Sequence, residues 1–133
     1  MEQICLTVRW SYVRCCASQG FFDDFYDVFL AKSPEVAEKF ANTDFSHQKR
    51  MLKDSIFLML EYASDDSKAQ AEIERLGHVH SRANRDIRPE LYELWLDSLC
   101  EVVKKHDPDH AEGLENVWRK CMRPGIETIT SHY

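Results

Sequence analysis

Apolar residues recur three and four positions apart along most of the chain, the spacing of a stripe on a helix. The first segment, from about Gln3 to Ala17, is compatible with helix and is closed by Ser18, Gln19 and Gly20, the glycine being free to adopt a left-handed turn. Phe22, Phe25, Tyr26, Phe29 and Leu30 then stand at offsets of 3, 4, 7 and 8, a broad aromatic face. Ser33-Pro34-Glu35 reads as a stop and a new start, because proline suits the first turn of a helix and disfavours helix at the residue before it. That short helix ends near Phe40. A polar turn over 42–46 precedes a helix running from Ser46 to about Ala63, capped by Ser46 or Asp44, with Gln48, Leu52, Ile56, Met59 and Ala63 on one side. After a break over 64–67, with Asp65-Asp66 in a loop, Lys68 to Ala83 resumes the pattern through Ala69, Ile73, Leu76 and His80. A further helix follows Arg88-Pro89 and reaches about Lys105 through Leu91, Trp95, Leu99 and Val102. Pro108 interrupts the chain before a last helix bearing Leu114, Val117, Trp118, Cys121, Ile126 and Ile129. Pro124 removes a backbone donor inside it, which predicts a kink or break near Met122.

The composition agrees with an all-α chain. Glycine and proline, four of each in 133 residues, are too few for the tight turns of a sandwich or barrel. No repeat, linker or low-complexity stretch divides residues 1–133, so one domain is expected. Lys+Arg 17 against Asp+Glu 23 gives a net charge of −6, which argues against binding to phosphate backbones, where clustered cations are needed. Nucleic acid is therefore not an expected partner. There is no apolar run of membrane-spanning length and no signal-peptide pattern near the start, so no membrane partner and a cytoplasmic location are expected. The five cysteines, including the adjacent pair Cys15 and Cys16, lack disulfide-framework or metal-finger spacing and read as reduced thiols, with Cys5 expected at the surface.

Among the six histidines, His80 has the informative position. It lies about 40° from Leu76 and about 20° from Ile73 around a helix axis, on the inward side. It is either a ligand or a hydrogen-bonded core histidine. His78 falls about 200° away and should face solvent. His106 and His110 have the i, i+4 spacing of a chelating pair, but Pro108 between them spoils the helix that would align them. His47 and His132 have no evident partner. Tyr26 and Gln48 are polar groups in apolar stripes, and each must find a hydrogen-bond partner or face a pocket. Asp23-Asp24 suit a helix N-terminus. There is no nucleophile elbow, zinc-protease helix, P-loop or Gly-rich dinucleotide loop.

The order of these features, Phe25-Tyr26, Pro34-Glu35-Val36, Phe40, a helix starting near Gln48 and an inward His80, resembles a globin. The runs Gly20-Phe21-Phe22-Asp23-Asp24-Phe25-Tyr26 and Asp86-Ile87-Arg88-Pro89-Glu90-Leu91-Tyr92 are similar to those of proteobacterial single-domain globins, which are related to the globin domain of flavohaemoglobins. The resemblance spans nearly the whole chain and implies a three-on-three helical sandwich around haem b. It implies His80 as the proximal iron ligand, with His78 as its rival, and Phe40 stacked on the haem. Tyr26 matches the distal tyrosine, Gln48 the distal polar position and Leu52 the apolar residue one turn later. Tyr92 looks like the tyrosine beside the proximal histidine of flavohaemoglobins, while Tyr133 stands near where those enzymes carry its carboxylate partner.

The implied activity is reversible binding of dioxygen, and of nitric oxide or carbon monoxide, in an oxygen-transport or storage role. Two alternatives accompany it. One is nitric oxide dioxygenation with a separate reductase, since no reductase segment lies within these residues. The other is a haem-free globin fold serving as an interaction module.

Overall fold

Gly20 and Ser33-Pro34 make the first two corners of the chain. Gly20 takes φ +86°, a left-handed conformation that a side chain would strain, and it ends α1 (Glu2–Ala17) and begins α2 (Phe21–Leu30). Ser33 accepts a hydrogen bond from the Glu35 amide, and Pro34 opens α3 (Pro34–Lys39). At the next corner Asp44, rather than Ser46, caps α4 (Phe45–Ala63) by accepting from the Ser46 and His47 amides. The computed structural model describes residues 2–64 and 67–133, so the expected loop at Asp65-Asp66 lies outside the described residues. The chain continues through α5 (Ser67–Val79), α6 (Glu90–His106) and α7 (Leu114–Ser131), and the described residues include no strand.

These helices form two layers, with α1, α4 and α5 lying over α2, α6 and α7. The last helix, α7, packs against α1, α4, α5 and α6, so its apolar residues meet those of every long neighbour except α2. Trp118, Met122 and Cys121 are fully buried there, together with Phe21, Phe25, Ile56, Leu60, Ile73, Leu96 and Leu99. No described helix is long and apolar enough to cross a membrane.

Two features differ from expectation. The fifth helix stops at Val79, four residues short of Ala83. The last helical hydrogen bond is the one from the His80 amide to the Leu76 carbonyl; after it, the Asn84 side chain takes the His78 carbonyl and Asp86 turns the chain at φ 52°. Competing side-chain bonds of this kind end helices earlier than apolar spacing suggests. The second is Pro124: of the kink or break expected near Met122, the break does not occur, and α7 runs on through it. Packing of that helix against its neighbours holds it continuous, and Gly125 beside the proline lets Met59 of α4 come close: a Cβ there would be 3.0 Å from Met59 Cγ.

The corner between α6 and α7 is tied to α1 by a buried carboxylate. The Asp107 side chain is fully covered and accepts from Ser11 Oγ (2.5 Å), Arg14 Nε (2.7 Å), Arg14 Nη2 (3.0 Å) and the Asp109 amide (2.9 Å). Trp118 Nε1 donates to the same Ser11 hydroxyl at 3.0 Å. Beside this corner, His106 bridges Ser18 (2.7 Å) and Asp24 (2.6 Å), and its ring meets Phe21 edge-on. Burial alone would raise the Asp107 carboxyl, but the Arg14, Ser11 and Asp109 donors outweigh it and hold the group down at about 2.

An unfolded aspartate titrates near ~3.9, so the contribution of Asp107 is complete above about pH 4 and is lost as pH falls through 2. It is on the order of 2 kcal/mol. Asp107→Ala, which removes that dependence and leaves Arg14 only its longer contact with Asp109 at 3.6 Å, should lower stability at pH 7 by about 2 kcal/mol. Urea titrations of both proteins across pH 2–7 would show the curves converging at the acid end.

Candidate functional site

The two layers do not close on each other everywhere. Between α2, α4, α5, α6 and the end of α7 they leave an apolar cleft of about 140 Å³ that opens to solvent on one side. Tyr26, Phe40, Gln48, Leu52, His80 and Tyr92, the six site residues expected from the sequence, all line it. Phe29, Val36, Met59, Leu76, Leu91, Trp95 and Ile129 complete its apolar walls, with Lys39, Met51, Ser55 and Ile87 beside them. Of these added residues, Met59, Leu76, Leu91, Trp95 and Ile129 sit on stripes already visible in the sequence, but periodicity does not separate a position facing a cleft from one facing the core. Ile56, on the same stripe as Leu52 and Met59, goes to the core instead.

His80 stands at the point where α5 ends. Its Nδ1 is 2.8 Å from the Leu76 carbonyl, and a carbonyl only accepts, so Nδ1 carries the proton. Burial lowers the imidazole below its ordinary value, outweighing the opposite pull of the Leu76 carbonyl. The ring is therefore held neutral with Nε2 unprotonated, the state in which imidazole ligates a metal. His78 is exposed. It points away from the cleft, as the helical phase predicts.

The turn after His80 is fastened from the far end of the chain. Tyr133 donates its hydroxyl to Asp86 Oδ1 at 2.6 Å, and the Arg82 guanidinium lies 4.7 Å from the Tyr133 ring centre. The Ile87 amide returns to the His80 carbonyl at 3.0 Å. Sequence reasoning noted Tyr133 only as a departure from a carboxylate, and the signal for its fastening role, a partner 47 positions away, is not local.

Tyr26 packs edge-on against Phe25, Phe40 and Phe45, at centroid separations of 5.1, 5.6 and 5.3 Å. Its hydroxyl reaches the Gln48 carbonyl only at 3.5 Å, the limit of a hydrogen bond, so most of its donor capacity remains for the cleft. Burial holds this phenol up at about 12, and it stays protonated. Tyr92 approaches His80 edge-on, ring centres 6.4 Å apart, and its buried hydroxyl has no hydrogen-bond partner. No carboxylate occupies the place beside it.

Outside the cleft, His106 is hydrogen-bonded to Ser18 and Asp24. Cys5 is fully buried, contrary to expectation, because the face of α1 that carries it packs on α7.

A two-layered helical sandwich that keeps an apolar cleft open beside a neutral, oriented histidine is the architecture of the all-α globin class. A family model described as Globin matches residues 23–128, and the chain belongs to the globin family. It is also similar to the crystal structure of a Pseudomonas aeruginosa PAO1 protein described as structurally highly homologous to a human hemoglobin, with 48% identity, 98% of each chain covered and a TM-score of 0.95. No curated protein matches it. The fold is the all-α globin fold, and membership implies a haem-binding protein. The residues fit that group: the walls are apolar, one imidazole nitrogen is free, and the buried Tyr92 hydroxyl lacks a partner.

The position of His80 depends on how closely α5 lies on α7. A Cβ at Gly77 would come 2.8 Å from His132 Cδ2 and 3.1 Å from both Ile129 Cα and its carbonyl oxygen. Gly77→Ala must part the two helices, and a loss of about 1–3 kcal/mol is expected from the denaturant midpoint. Tyr92→Phe, by contrast, removes a hydroxyl that nothing satisfies. In the protein without cofactor it should be neutral or stabilising by about 1 kcal/mol in a thermal melt.

Proposed function

We propose that the chain is a haem b globin in which His80 ligates the iron and Tyr26 and Gln48 donate hydrogen bonds to a diatomic ligand, dioxygen first and nitric oxide or carbon monoxide besides. The observation that carries this reading is the His80 geometry: a neutral imidazole, its Nδ1 hydrogen held by the Leu76 carbonyl, lining an apolar cleft. Ferrous haem supplies a reversible coordination position for diatomic gases.

The chain's own residues do the rest. Phe40, with Phe29 and Tyr26 against it, forms a rigid aromatic wall suited to a flat macrocycle. Leu52, Met59 and Val36 exclude water, which strengthens every hydrogen bond made inside. Tyr26 is a donor at all ordinary pH values, and Gln48, half-buried at the first turn of α4, brings an amide to the same space. A partly negative ligand atom is held by these two donors, which slows its release.

An optical spectrum tests the assignment. Protein reconstituted with hemin and then reduced should give a Soret band typical of histidine-ligated haem, and His80→Ala, checked by circular dichroism to be folded, should lose it and regain it with added imidazole. An unchanged spectrum and hemin affinity in folded His80→Ala would overturn the reading. Tyr26→Phe and Gln48→Ala should each speed dioxygen release by about 10-fold in flash photolysis or stopped flow, the equivalent of one hydrogen bond.

A further inference from the structure

Two thiols that take no part in the cleft lie against each other where α1 crosses α7. Cys5 and Cys121 are fully buried, and their Sγ atoms are 3.2 Å apart. A disulfide needs a separation of about 2.05 Å, so the sulfurs have roughly an ångström to close. We propose that Cys5 and Cys121 are an oxidisable dithiol, which a hydroperoxide converts into an intramolecular disulfide stapling α1 to α7.

The chemistry starts at Cys5. It lies in the first turn of α1, where amides lack intrahelical partners and a local opening is least costly, whereas Cys121 is in the middle of α7. Burial and the neighbouring Cys5 thiol push Cys121 up to about 12, which disfavours it as the attacking thiolate. The Cys5 thiolate attacks one peroxide oxygen and breaks the O–O bond. The other oxygen leaves as water after taking a proton, and Cys5 becomes a sulfenic acid. Cys121 then gives up its proton and attacks Cys5 Sγ, forming the S–S bond and expelling the hydroxyl as a second water. Two electrons pass from two thiols to one hydrogen peroxide.

The bond would close a loop of nearly the whole chain, the case in which a cross-link most restricts the unfolded state. It would also fix α1 to the helix whose Ile129 backs Gly77 of α5. The half-exposed Cys16 is the competing thiol.

Fully reduced protein, with any haem iron blocked by cyanide, is exposed to a few equivalents of hydrogen peroxide, quenched by alkylation and mapped by mass spectrometry. The expected product is lighter by two hydrogen atoms and carries one cross-link, joining the peptides that contain Cys5 and Cys121. Its thermal midpoint should rise by roughly 5 °C, reversibly with reductant. Cys5→Ala and Cys121→Ala should each abolish the link and the shift. The proposal is overturned if both cysteines remain alkylatable after denaturation, if oxidation stops as an acid on Cys16, or if pairing in the native protein is no more selective than in urea.

Discussion

A missing side chain at Gly77 decides how α5 rests on α7, and much of the remaining structure depends on that contact. With no Cβ, the α5 backbone comes within van der Waals distance of the Ile129 backbone. Two residues later the helix ends, and its last backbone bond, from the His80 amide to the Leu76 carbonyl, is shared with the His80 ring at the same oxygen. Packing, helix termination and imidazole orientation are thus coupled within one turn. Parting α5 from α7 would move the histidine, widen the cleft at Ile129 and disturb the Asp86–Tyr133 fastening together.

The cleft is held open against the tendency of apolar side chains to collapse into it. Aromatic stacking supplies the resistance: Tyr26, Phe29, Phe40 and Phe45 meet edge-on or tilted, each blocking the rotation that would let another fill the space. The cost is visible in the polar groups. Tyr92 has a buried hydroxyl with no partner, and Tyr26 has one with a single long bond. Protein interiors rarely tolerate such groups unless a ligand or water satisfies them. The unpartnered Tyr92 hydroxyl, the weakly bonded Tyr26 hydroxyl and the neutral imidazole line one cleft, a coincidence that a simple packing defect does not explain.

Much of this was legible in the sequence. The aromatic stripe of α2, the Ser33-Pro34 start and the inward phase of His80 follow from local rules, and the globin resemblance added roles to residues that periodicity had already turned inward. What stayed hidden depends on contacts far apart in the chain. Helical phase placed His80 but not the end of its helix, which is set by Asn84 and Asp86 after it. Pro124 argued locally for a break, yet contacts with other helices keep α7 whole. The burial of Cys5 could not be read from a segment whose hydrophobic pattern is weak, since Leu6, Trp10 and Val13 on its outer face are as apolar as the residues it buries.

The same separation of local from distant governs how the protein responds to acid. Charged groups lie largely on the outer faces, as pairs such as Arg88 with Glu35 and Arg119 with Asp97, which contribute little individually. In the cleft, burial lowers the His80 imidazole and raises the Tyr26 phenol, so each favours its neutral form at neutral pH. A buried acid-labile element is Asp107, outside the cleft at the corner between α6 and α7 and bonded to α1. As pH falls below about 4 the Asp107 corner loses its contribution, while the Nδ1 hydrogen of His80 stays on the Leu76 carbonyl in either protonation state. Burial thus favours the neutral forms of the residues that face the cleft, while one ionised carboxylate holds a corner of the frame around them.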